Sequence, residues 1–308
     1  MTIRRLVPLS VGLLLTLAAS ASAADYPIKF QRPFKAGQAF AFSATDTYRA
    51  GEKLDLPNGS STNSSNVRRI ALDADVRIDK VDAQGAAVIQ SFTLQRLTLQ
   101  STNGGASDPV ILQETNPAAP APAVKNLLPP GTDVTVTYTD SQPAFALKKG
   151  GLLSDDALIA LQQGTKRMSL SDALYGAKDR KKVGDSWPID KSALPSDRTK
   201  PGYIDLALIT GTVTLKTLRT IAGLECLQLD GSMVTRNMPL GGNVTPREAT
   251  LTVTFSCNLP TDETLPPVAW TMKSLTHIVT EEKSLAGATI TRTVDSEITH
   301  DASWTPKH

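Results

Sequence analysis

The residue that first suggests chemistry is Ser186, within Val183-Gly184-Asp185-Ser186-Trp187. A serine held on a glycine turn can act as a nucleophile if a histidine takes its proton and an acid orients that histidine. The chain has three histidines, His277, His300 and His308, and none follows an aspartate at a spacing of three; Glu297 before His300 comes nearest. Pro188 also opposes the helix that a strand-borne nucleophile should lead into. A structural reading of the motif is stronger. Gly184 makes a turn, Asp185 bonds nearby backbone, and Trp187 anchors a strand in the core. On this reading no catalytic residue is assigned.

The other candidate groups weaken in the same way. His277 and His300 fall on one hairpin but several rungs apart, and no His-x-His or His-Glu-x-x-His spacing exists. Asp73, Asp75, Asp79 and Asp82 lack the glycine and bidentate glutamate of a calcium loop, and alternation on a strand sends them to solvent. No metal or cofactor is therefore expected. The Thr-x-Thr runs at 135–139, 250–254 and 289–293 have no fixed repeat length. They reflect the preference of threonine for strands. Cys226 and Cys257 lie in predicted strands, and in an exported chain an even pair reads first as a disulfide, with two buried thiols as the alternative.

Export is read from the N-terminus. Arg4 and Arg5 precede an apolar run from Leu6 to Ala19, and Ala21-Ser22-Ala23 offers a small-x-small cleavage site. Residues 1–23 are read as a signal peptide, giving a periplasmic or secreted protein without a membrane anchor after cleavage. The full chain has 32 Lys+Arg and 30 Asp+Glu; removing Arg4 and Arg5 leaves 30 against 30. A neutral chain without a basic block gives no electrostatic support for nucleic-acid binding.

The elements that must position these residues are mostly strands. Phe40, Phe42 and Ala44 alternate in 38–49; Ile70, Leu72, Ala74, Val76 and Ile78 alternate with charged residues. In the return strand 86–100 the apolar parity shifts near Gln95-Arg96, which predicts a β-bulge. The polar stretch 51–66, with Pro57 and Asn58-Gly59, reads as a long loop, and Asn116–Val124 as an extended Pro/Ala connection. A helix pair is expected over 154–177, capped by Ser154 and by Ser169 or Ser171. Strands resume after Trp187 and continue as hairpins turning at Ala222-Gly223 and Leu285-Ala286-Gly287.

The second half echoes the first. Lys35-Ala36-Gly37-Gln38-Ala39-Phe40 matches Lys182-Val183-Gly184-Asp185-Ser186-Trp187. Val76, Ile78, Val81 and Gly85 match Val213, Leu215, Leu218 and Gly223, and Val134–Tyr138 resembles Leu251–Phe255. An internal duplication follows, with Phe40 and Trp187 as equivalent anchors. The expected fold is mainly β: two similar antiparallel sheets or half-barrels, residues 24–150 and 181–308, with a helical interlude at 151–180.

With its helix pair leading into Val183-Gly184-Asp185-Ser186-Trp187, the chain resembles a group of uncharacterised exported bacterial β-rich proteins, a domain of unknown function. More distantly it looks like the half-barrels of periplasmic lipoprotein carriers. That likeness implies binding of an apolar ligand in a concave sheet, and the leading reading is a non-enzymatic envelope protein that binds a lipid or other apolar ligand, or a lipidated partner. The alternative is a structural or protein-interaction module of the envelope. Gly184-Asp185-Ser186 is also similar to the nucleophile block of GDS-type esterases, which would imply Ser186 as nucleophile. The helix precedes the motif here instead of following it.

Overall fold

A computed structural model describes residues 24–104, 124–139, 143–166, 170–194, 205–238, 246–284 and 287–307. The signal segment, the expected strand at 110–114 and most of the Pro/Ala connection lie outside the described residues.

The protein is mainly β, as its alternation predicts. Strands β1 (Ala39–Asp55), β2 (Ser61–Val81), β3 (Ala87–Gly104), β4 (Val124–Asn126), β5 (Asp133–Tyr138) and β6 (Pro143–Leu147) precede helices α1 (Asp155–Gly164) and α2 (Asp172–Tyr175). Strands β7 (Ser186–Pro188), β8 (Ile209–Ile221), β9 (Leu224–Arg236), β10 (Glu248–Pro260), β11 (Ala269–Lys283) and β12 (Thr289–Pro306) follow. The two halves join edge to edge in one open twelve-stranded sheet, ordered β6-β5-β3-β2-β1-β12-β11-β10-β9-β8-β7, with β4 beside β3. The seam is the long antiparallel pairing of β1 with β12, from Phe40 opposite Pro306 to Asp55 opposite Thr291.

The duplication is visible atom by atom at the two glycine turns. The Gly37 N–H donates to the Ile78 carbonyl at 2.8 Å, and the Gly184 N–H to that of Leu215 at 2.7 Å. Ile78 N–H returns a bond to the Gln38 carbonyl, and Leu215 N–H to that of Asp185. The Gln38 and Asp185 side chains each accept the N–H three residues back, from Lys35 and Lys182, at 2.8 Å. Both glycines sit at positive φ, +89° and +95°, a region that residues with a Cβ enter at a cost. From these turns the register runs Phe40–Val76–Phe92–Val134 in one half and Trp187–Val213–Gly231–Phe255 in the other. Both long hairpins carry an irregularity two residues further on, after Ile78 and after Leu215. One sequence match needs correction: Val134 is the counterpart of Phe255, not of Leu251, because short Val/Thr runs look alike when shifted along a strand.

Other differences have simple causes. The expected loop at 51–66 is instead the end of β1, a tight turn around Pro57-Asn58-Gly59, and the start of β2. Its polar residues pair across strands, Glu52 with Arg292 at 2.8 Å, so the ladder continues where apolar alternation stops. The bulge falls where parity predicted it, since Asp73 lies opposite Arg96 and Ala74 opposite Leu94, leaving Gln95 unmatched. Ser154 and Ser171 cap α1 and α2.

The inner face of the sheet is packed. Ile70, Leu72, Val76 and Ile78 are fully buried, and α1 lies across β1, β2 and β3. The approach is close: a Cβ on Gly164 would meet Leu72 Cδ2 at 2.9 Å. In the other half the Phe255 ring fills the space over Gly231 and meets Phe30 and Tyr175 edge-on at 5.7 and 5.0 Å. The expected binding faces are therefore covered at Ile70, Leu72, Val76, Ile78 and Phe255 by the helices and by residues 26–34, whereas Leu251 and Val253 are half-buried.

Candidate ligand-binding site

Residues 26–34 form a strap across one end of the sheet. At its start Tyr26 exchanges two backbone bonds with Lys181, each 2.8 Å. Phe30 is 1 % exposed and rests on Phe255, while the Asp172 carboxylate of α2 receives the Phe30 and Gln31 N–H groups. At its far end Phe34 N–H donates to the Gly85 carbonyl in the β2–β3 turn at 2.8 Å. A Cβ on Gly85 would stand 2.5 Å from Pro33 Cβ, so this turn accepts only glycine while the strap is in place.

Beside the strap lies a partly enclosed hollow of about 400 Å³. Its apolar wall is made by Phe34, Pro266, Pro267, Trp270 and Trp304; Gln31, Arg32 and Gln84 add polar edges. The wall is an aromatic cluster packed at tilted and edge-on angles. Trp304 meets Phe34, Phe40 and Phe42 at ring separations of 5.7, 5.5 and 4.6 Å. Trp270 is backed by His300, stacked at 4.6 Å with the rings 24° apart. His300 is itself buried, with Nδ1 3.3 Å from Asp46 Oδ2, and Lys166 Nζ lies 3.8 Å from the same oxygen. This buried polar group holds the indole of Trp270 from behind. The volume falls in the lower part of the usual range for small-molecule sites, about 300–1,000 Å³.

Arg32 is the polar feature of this site. Its side chain belongs to a residue only 7 % exposed. Nε donates to the Lys29 carbonyl at 2.8 Å, and one terminal nitrogen to the carbonyls of Pro260 and Asp262 at 3.1 and 3.0 Å. The other terminal nitrogen is buried without a hydrogen-bond partner among the described residues. Burial pushes the guanidinium below its ordinary pKa, against the pull of Glu263, Asp172 and Asp262.

The residues singled out by sequence are dispersed. Phe40 stands behind Trp304, but Trp187 is at the far edge of the sheet, 6 % exposed, its indole N–H donating to the Tyr175 carbonyl at 2.9 Å. Asp185 is occupied by its own turn, and the Ser186 hydroxyl meets Thr214 Oγ1 at 2.8 Å on an exposed edge. His277 pairs with Asp295 at 2.7 Å, opposite in register to it, whereas His300 lies opposite Met272. Each of these aspartates has its own partner: on β2 Asp73 takes Arg96, Asp75 takes Lys307 and Asp79 takes Arg77, while Asp82, in the turn after β2, receives the N–H of Gln84 and Ala86.

The expected disulfide is not formed; Cys226 and Cys257 are free and buried. Cys257 lies opposite Leu229, three residues along β9 from Cys226, so the two point to opposite sheet faces. Three strand residues span roughly 10 Å, beyond the reach of about 7 Å between Cα atoms that a disulfide allows. Burial pushes both thiols upward in pKa.

Sequence reasoning missed the strap and its arginine because residues 26–34 carry no strand or helix period. The available signal was Phe30-Gln31-Arg32-Pro33-Phe34, a cation between two aromatics. A larger depression of about 640 Å³ lies on the outer face over β8–β11, with Thr214, Asp230, Ser256 and Lys273 on its walls. Its counterpart in the first half, about 330 Å³, holds Arg77, Ser91, Thr135 and Lys148 at the same register positions. Both are more open than the hollow beside the strap, and their walls are mostly threonine, serine and charged residues, with Phe255 the one aromatic, so the aromatic hollow is the better site.

No family model and no curated protein matches the chain. Among solved structures it is similar to one titled "Lipid-protein interactions in lipovitellin", with a TM-score of 0.36 and 6 % identity, over 88 % of this chain and 25 % of that one. The chain thus spans about a quarter of that structure's length, and a likeness of this size bears on neither family nor function.

Proposed function

We propose that the protein is a non-enzymatic binding protein of the cell envelope that takes an apolar ligand into the hollow beside the strap. The observation that carries this reading is the aromatic and proline wall of Phe34, Pro266, Pro267, Trp270 and Trp304 around a space of about 400 Å³. An apolar hollow with a few polar groups at its edge has the usual form of a small-molecule site. Envelope location rests on the leader-like residues 1–23. The test is titration of residues 24–308 with the neutral probe N-phenyl-1-naphthylamine. Saturable binding with energy transfer from tryptophan is expected, and Ala86→Trp, which fills the mouth, should abolish it. Absence of saturable binding, or binding indifferent to Ala86→Trp, would overturn the reading.

A further inference from the structure

We infer that the ligand of this hollow carries an anionic group at one end, received by Arg32; the inference rests on the apolar-ligand reading above. A guanidinium is the most persistent cation a protein can bury, and it is ordinarily paired with an acid when it is buried. Arg32 is 7 % exposed, yet it hydrogen-bonds only neutral carbonyls, those of Lys29, Pro260 and Asp262. Among the described residues no carboxylate lies within ion-pair distance of it. The acids that act on it through space are committed elsewhere. Glu263 is bound to Lys29 at 2.9 Å, Asp172 to the Phe30 and Gln31 N–H groups, and Asp262 to the Thr264 N–H at 2.8 Å.

One terminal nitrogen remains without a partner, in a side chain that forms part of the wall of the aromatic hollow. A buried donor left unpaired is costly, and a charged one more so, so this nitrogen calls for an acceptor. An oxyanion beside an apolar body satisfies both halves of the site: the body against Trp270, Trp304 and the prolines, the oxygen on Arg32. A single-chain amphiphile ending in a carboxylate or a phosphate has that chemistry. The free acid and the phosphate head share it and differ in source.

The experiment compares four probes of one chain length on delipidated residues 24–308, each below its micelle concentration: dodecanoate, dodecyl phosphate, dodecanol and dodecyltrimethylammonium. A charge-assisted hydrogen bond to Arg32 should favour an oxyanion over the alcohol by about tenfold or more. Preference for dodecanoate assigns the source to a free acid, and preference for dodecyl phosphate to a phosphate head. Arg32→Gln should abolish the preference, so that the variant binds the oxyanions no better than it binds dodecanol. Arg32 also fastens the strap, so the head-group series on the unaltered protein decides the matter if that variant does not fold. Equal binding of acid, alcohol and ammonium would overturn the role of Arg32 while leaving the apolar site standing. Binding of none of the four would overturn the apolar site itself.

Discussion

Trp187 shows how one motif can be read as chemistry or as architecture. Its indole is buried, its N–H is bonded to Tyr175, and Lys181 Nζ lies 5.8 Å from its ring centroid. Its place is set by Gly184 and Asp185, whose bonds repeat those of Gly37 and Gln38, where no nucleophile stands. Trp187→Ala should therefore cost about 3 to 5 kcal/mol, the usual range for a large buried aromatic. Urea unfolding measures it, and a loss under about 1 kcal/mol would contradict the anchoring role. The cysteines allow an equally direct check. Both thiols are buried and raised in pKa, so a thiolate-specific reagent should leave the native protein untouched. After unfolding without reductant, both Cys226 and Cys257 should react. A silent unfolded protein would mean a disulfide after all.

At the scale of elements, what sequence makes legible depends on whether an element has a period. Ile70 to Ile78 announce β2 by alternation, and the parity change at Gln95 announces its bulge, because each side chain must choose a face. The ends of β1 and β2 escape that logic, since Glu52, Lys53 and Ser61 to Asn66 are held by ladder and ion pairs and not by a buried face. Residues 26–34 escape it entirely. Their order comes from the Lys181 bridge, Asp172 and Gly85, all distant in sequence. The two open edges of the sheet carry proline. β6 begins at Pro143 and β7 ends at Pro188, and short strands with proline resist adding a further strand. Removing the strap tests its weight. A chain beginning at Gln38 loses Phe30 from Phe255 and Tyr175 and Phe34 from Trp304. It should bind the neutral probe without saturation, through an uncovered core face, and melt well below the protein that begins at residue 24. Unchanged melting would show the strap to be merely laid on the surface.

For the whole molecule the duplication and the continuous sheet make opposing demands. Two repeats that each carry a glycine turn, a bulged hairpin and a third strand look like units able to fold alone. The seam argues otherwise. β1 and β12 pair along nearly their full lengths, so neither half has that edge satisfied without the other. The core crosses the same boundary, for Phe42 of the first half packs on Trp304 of the last strand, and Asp46 on His300. The strap adds a third tie, since it enters β1 after passing over β10 and the β10–β11 turn. Contacts this distributed make partial unfolding expose apolar surface on both sides of the break, which raises its free energy toward that of global unfolding. A single transition is therefore expected. The far-ultraviolet signal of the whole sheet and the fluorescence of Trp187, Trp270 and Trp304, which sit at the edge, the centre and the seam, should change at one urea concentration. Calorimetric and van't Hoff enthalpies should agree. Two separated transitions, with Trp187 reporting a midpoint of its own, would instead mark the repeats as independent units joined only by hydrogen bonds at the seam.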